Sequence, residues 1–273
     1  MRGVPRPSVQ PPGGGDLPRP GKALRAVLLL LLVVWVAFAV ALQWGGADPS
    51  VFFALAGNTE ALAGGQIWRL FTAPLLHAPQ SPWHLVGSLI GLYFLTPALE
   101  ARWSSRRLLG FLVAAGALAY AAQALAEAWL PAGVGQRLSS GTYFGAIPVV
   151  EAVAVAWALH FRDQTVRLFF VLPVGAKQLL AFIVGFSVLR VLAVEQAPEG
   201  LVSPFGGMVA GWLLGGGSPS PLRRAYLRLR YRALQRETER LSRPGAPRKP
   251  TGRKGGLRVI DGGRKDKNGS SLH

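Results

Sequence analysis

The sequence predicts an all-α, polytopic membrane protein with six helices crossing one bilayer and both chain ends on the cytoplasmic side. Three observations predict it. First, half of the 273 residues are hydrophobic and only 16% are charged, against about 25% charged in an ordinary soluble domain. Second, the apolar residues are gathered into runs long enough to cross a hydrocarbon core, separated by short basic clusters. Third, the basic residues fall on one side: with the N-terminus inside, the inner segments hold 27 of the 30 Lys and Arg. An odd number of spans would put the basic tail outside, against the positive-inside rule.

Residues 1–22 are rich in Pro and Gly without periodicity, which predicts a disordered cytoplasmic tail. The first span is read at 23–44. Its core, AVLLLLLVVWVAFAVAL, is longer than the roughly 7–15 apolar residues of a signal peptide. AFAVA resembles a cleavage site, but more spans follow, so the segment reads as an uncleaved anchor. Residues 45–82 alternate apolar pieces with Gly and Pro and read as a long outer loop lying partly in the interface, a comfortable place for Trp68 and Arg69. Further spans are read at 83–99, 108–130, 141–160, 176–195 and 201–216. The membrane domain is therefore 23–216, followed by a basic cytoplasmic tail at 217–273. The first part of the tail, LRRAYLRLRYRALQRETERL, reads either as an interfacial helix or as a solvated stop signal.

The charge of +17 does not point to nucleic acid. Sixteen of the Lys and Arg lie after residue 220, where a juxtamembrane tail meets anionic lipid. Membrane lipids are the expected partner and no nucleic acid is expected. There is no cysteine, and the four histidines (His77, His84, His160 and His273) have no metal-ligand spacing. Neither a metal nor another cofactor is expected.

Several residues invite a structural or functional reading. Gly141 and Gly145 in the fourth span, and Gly207, Gly211 and Gly215 in the sixth, are each four apart. Such small-residue faces let helix backbones approach closely in lipid, so these two helices are expected to pack together. Glu151 and Arg190 stand at similar depths by helix rise, and intramembrane charges normally pair, so a Glu151–Arg190 salt bridge is expected, with snorkelling of Arg190 as the alternative. Ser140, before a glycine at a helix start, reads as an N-cap, as does Ser139.

Three stretches taken in order carry a resemblance to a known family. They are GGQIWRLFTAPLLH at 64–77 leading into HLVGS at 84–88, LSSGTYFG at 138–145, and PFGGMVAGWLLGG at 204–216. On a six-span frame they resemble the rhomboid family of intramembrane serine proteases; VRLFFVLPVGAKQLL at 166–180 and, more weakly, LRVIDGG in the tail add to this. The resemblance implies a six-helix bundle that receives a substrate's transmembrane helix. It implies Ser140 as nucleophile, His84 on the oxyanion side and Trp68–Arg69 as the outer-loop pair.

The departures are in the chemistry. Leu138 replaces the first glycine of the nucleophile motif, and Ser88 stands where the family has Asn. The position of the base is Pro204, and no histidine lies between His160 and His273. A serine needs a base within about 2.6–3.2 Å. His160 lies twenty residues after Ser140 on one predicted helix, hence about 30 Å away, and Lys177 is also on the inner side.

The reading these residues favour is a pseudoprotease that binds transmembrane helices of client proteins without cutting them. An active endopeptidase using Ser140 with an unorthodox base such as His84 or water is the second reading, so enzymatic activity is left undecided. A transporter or channel, to which only Glu151 and Arg190 point, is the third. The Ala/Gly/Arg/Leu-heavy composition fits a GC-rich bacterium, hence the inner membrane.

Overall fold

The computed structural model describes residues 19–130, 141–168, 172–193, 197–216 and 221–242. The chain divides into two units, residues 1–225 and 226–273. The first is almost wholly helical. Four of its helices are long and apolar enough to cross a membrane: α1 (Lys22–Gln43), α5 (Pro82–Arg102), α6 (Ser105–Trp129) and α8 (Ala176–Ala193). Between α1 and α5 run the short helices α2 (Ser50–Leu55), α3 (Thr59–Ala63) and α4 (Arg69–Thr72) and a 3₁₀ turn, Ala73–Leu75. Two shorter apolar helices complete the bundle, α7 (Ile147–His160) and α9 (Ser203–Gly215). A hairpin of β1 (Thr165–Leu168) and β2 (Leu172–Gly175), antiparallel with Thr165 opposite Gly175, precedes α8. Described by itself, α10 (Pro221–Ser242) is a basic helix whose described side chains are exposed.

α7 is the centre of the fold. It is apolar all round, as a helix surrounded by others must be, and its buried residues run from Pro148 to Ala158. Helices α5, α6, α8 and α9 all pack on it. At 14 residues it is about 21 Å long, shorter than a 30 Å hydrocarbon core.

α1 is held against α5 at both ends. Glu100, near the C-terminal end of α5, accepts from the free backbone N–H groups of Ala23 (2.9 Å) and Leu24 (3.3 Å). This is where a helix N-terminus favours an anion. Gly21 is required beside it: a Cβ there would stand 2.3 Å from the Glu100 carboxyl carbon. Towards the C-terminal end of α1, Trp35 Nε1 donates to Ala78 O (2.9 Å) and Gln43 Nε2 to Pro79 O (2.6 Å), both just before α5. α6 begins with Ser104 as N-cap, its Oγ accepting from Arg107 N, and the Arg107 guanidinium lies over the Trp103 ring.

Three expectations are corrected. The fourth apolar helix begins at Ile147, with Ala146 at its N-cap position, and not at Gly141. Gly141 (φ +65°) and Gly145 (φ +125°) hold left-handed backbone conformations that a right-handed helix cannot contain, so they form a loop and not a packing face. Ser139 and Ser140, read as N-caps, lie outside the described residues. Finally, Glu151 and Arg190 do not pair. Glu151 Oε1 accepts from Ser187 Oγ (2.9 Å), and Arg190 binds Glu199.

The glycines of α9 lie directly on α7. A Cβ at Gly207 would stand 2.0 Å from Pro148 O, one at Gly211 2.4 Å from Ala152 O, and one at Gly215 2.4 Å from Ala156 Cβ. Two of the three contacts are with backbone, so the pair touches main chain to main chain at four-residue intervals.

Candidate functional site

The polar residues of the bundle gather where the loops before α5, α7 and α9 meet. His84 is in the first turn of α5, and its imidazole lies against Gly145: a Cβ there would meet Nε2 at 2.6 Å. Only glycine fits, for that reason and for its φ. The backbone N–H of Ala78 donates to His84 Nδ1 (3.3 Å), which assigns the proton of the neutral ring to Nε2. Nε2 faces Glu199 Oε2 at 3.8 Å.

Glu199 is 1% exposed and its other oxygen takes the Arg190 guanidinium. An ion pair removed from solvent needs such close geometry to recover its desolvation cost. The loop carrying Glu199 is fixed on three sides. Phe144 N donates to Pro198 O, Ser203 Oγ to Glu199 O, and Gln123 Oε1 accepts from both Val202 N and Ser203 N. Pro204 follows, buried in the first turn of α9, where a missing N–H costs nothing. α9 reads SPFGGMVAGWLLG and contains no group able to accept a proton at neutral pH.

One turn into α5, Ser88 is fully buried. Its Oγ lies 3.0 Å from His77 Nε2 and 3.2 Å from His84 O. His77 is buried too, and burial, reinforced by the neighbouring His84, pushes its pKa down to about 3, so the ring is neutral. Where the rhomboid resemblance calls for an Asn amide aimed at an oxyanion, the protein has a hydroxyl turned onto its own helix and onto His77.

The loop that begins at Gly141 is stitched to the segment between α2 and α3. Gly57 and Tyr143 exchange backbone hydrogen bonds (2.8 and 2.9 Å), and Asn58 Nδ2 donates to Gly141 O (2.7 Å) while its Oδ1 caps α3. Tyr120 donates to Gly145 O (2.6 Å) and stacks on Tyr143. Trp68 and Arg69 stand apart from this cluster. Arg69, buried, donates to Phe53 O (2.5 Å), Ala56 O (2.6 Å) and Gln66 Oε1 (2.8 Å), and so holds α2 on α4; Trp68 is half-exposed beside it. Glu151 lies deeper along α7, its Oε2 buried without a hydrogen-bond partner among the described residues.

The structure thus brings His84, Ser88, Gly145, Arg190 and the start of α9 at Pro204 into one neighbourhood. Glu199, His77 and Gln123 join them without having been singled out from sequence. Gln123 carried a sign of its role, as a lone amide inside a long apolar run. Among the described residues no group of His, Asp or Glu is arranged to hold a metal ion.

Taken together, the apolar helices around a buried α7 and the glycine contact between α7 and α9 define an integral membrane protein. A family model described as the Rhomboid domain matches residues 64–217, more than half of the chain, and the protein belongs to the rhomboid family. Among curated proteins, no significant match to the chain was found.

Proposed function

We propose that this rhomboid holds transmembrane segments of client proteins without cutting them. It would cross a bacterial inner membrane six times, α7 and α9 supplying the fourth and sixth spans, with both ends in the cytoplasm. The observation that carries the reading is the composition of α9: the base position is Pro204, and no imidazole lies anywhere on the helix. A serine hydroxyl is a poor nucleophile until a positioned proton acceptor takes its proton.

His84, whose imidazole lies against Gly145, favours the second reading, an active endopeptidase. Its bonding argues against a role as base. The lone pair of Nδ1 is taken by Ala78 N–H, and the proton on Nε2 faces a carboxylate. Neither nitrogen has a free lone pair to offer.

The test is a proteoliposome assay with a single-span peptide carrying a fluorophore at each end. The proposal expects saturable retention of intact peptide, read by co-purification and mass. Fragments that appear with the wild-type protein and disappear in Ser140→Ala would overturn it.

A further inference from the structure

We propose that α10 is a membrane-surface helix that lies on anionic lipid headgroups. The helix carries seven Arg and only two Glu between Pro221 and Ser242, so it cannot be a further span. It is not a core helix either: every described side chain from 224 to 239 is exposed. Yet Tyr226, Leu227, Leu229, Tyr231 and Leu234 are among those exposed residues, more large apolar surface than a solvated basic helix requires.

The apolar residues are placed to lie on a surface. Leu227, Tyr231 and Leu234 follow the i, i+4, i+7 spacing that puts them on one face. Arg224 and Arg228 flank that stripe on one side and Arg230 on the other, while Arg236 falls on the opposite face. This is the arrangement of an interfacial helix, with apolar and Tyr side chains at the acyl boundary and long Arg side chains reaching to phosphates. A solvated tail segment would need no such stripe, and neither would arginines that bind nucleic acid.

The chain itself keeps the helix near lipid. Gly215 ends the last apolar helix and Pro221 begins α10, so at most about 22 Å of extended chain separates them. A basic segment immediately beside a membrane helix is where the negative potential of an anionic leaflet acts.

The absence of cysteine makes the test direct. Leu227→Cys and, separately, Arg236→Cys introduce a single thiol for an environment-sensitive fluorophore on the full-length protein in nanodiscs. In discs containing phosphatidylglycerol, the probe at 227 is expected to shift to the blue and to be quenched by brominated lipid. The probe at 236 is expected to stay open to aqueous iodide. The shift at 227 should be lost in phosphatidylcholine alone, at high salt, and in R224E/R228E/R230E. Equal solvent exposure of the two probes in both lipids would overturn the proposal. So would shielding of 227 that is the same with and without phosphatidylglycerol, or that occurs only when RNA or an acidic protein is added. Unchanged thermal unfolding of each variant separates loss of lipid contact from loss of fold.

Discussion

α8 and α9 flank the same central helix and are held to it in opposite ways. α9 meets α7 through Gly207, Gly211 and Gly215, close enough that no side-chain carbon fits between. α8 turns Phe182, Phe186, Leu189 and Leu192 outward, and its polar ties inward are Ser187 to Glu151 and Arg190 to Glu199. Contact of the first kind is fixed by shape: α9 cannot part from α7 without opening a void. Contact of the second kind rests on side chains: Leu179, Leu180 and Ile183 of α8 enter the apolar core beside the Ser187 tie, while Arg190 is tied to the loop before α9. Of the two, α8 is the less closely packed on α7.

The largest expected effect tests the first kind of contact. Gly207→Leu or Gly211→Leu drives a side chain into α7 backbone and should cost about 3 kcal/mol or more, enough to prevent folding in detergent. Gly185→Leu, on α8, meets nothing within 4 Å and should stay within about 0.5 kcal/mol of wild type. Thermal unfolding of the three variants makes the comparison; equal losses would erase the distinction between the helices.

Next in size is the buried ion pair. Glu199→Ala leaves the Arg190 guanidinium without its carboxylate and should cost about 3 kcal/mol. A double-mutant cycle of Arg190→Gln with Glu199→Gln should show coupling, whereas Arg190→Gln with Glu151→Gln should add to within about 0.5 kcal/mol. Coupling in the second cycle would restore the pairing expected from helix depth. Smaller still, Ser187→Ala removes one hydrogen bond to Glu151 and should cost about 1 kcal/mol.

The last prediction concerns pH. His77 is held neutral in the folded state with its pKa near 3, below the 6.5 of a free imidazole. The unfolded chain therefore binds the extra proton first as pH falls. The contribution of His77 to stability is complete above about pH 6.5 and is lost progressively as pH falls towards 3. The unfolding midpoint should drop between pH 7 and 4, and His77→Gln should flatten that slope.

Much of the fold was legible because hydropathy and length are additive along a chain. α1, α5, α6 and α8 follow from their apolar runs, and the α7–α9 contact follows from glycines four apart on α9. The start of α7 did not, because Gly141 and Gly145 have the same spacing as a packing face and serve instead as left-handed turns. Backbone handedness is not written in spacing. The partner of Arg190 was hidden for another reason. Helix rise gives depth along one element, but Glu199 reaches Arg190 because Gln123, Ser203 and Phe144 fix its loop back onto the bundle. Of the candidate site, what sequence told most clearly was an absence, the missing imidazole on α9. The environment of His84 came only from the fold.

The most direct measurement is labelling of the purified, folded protein with a fluorophosphonate, beside Ser140→Ala. A non-cleaving rhomboid predicts no label above the level of the variant. Label on the wild-type protein that disappears in Ser140→Ala would mean that Ser140 is activated, and would contradict the account.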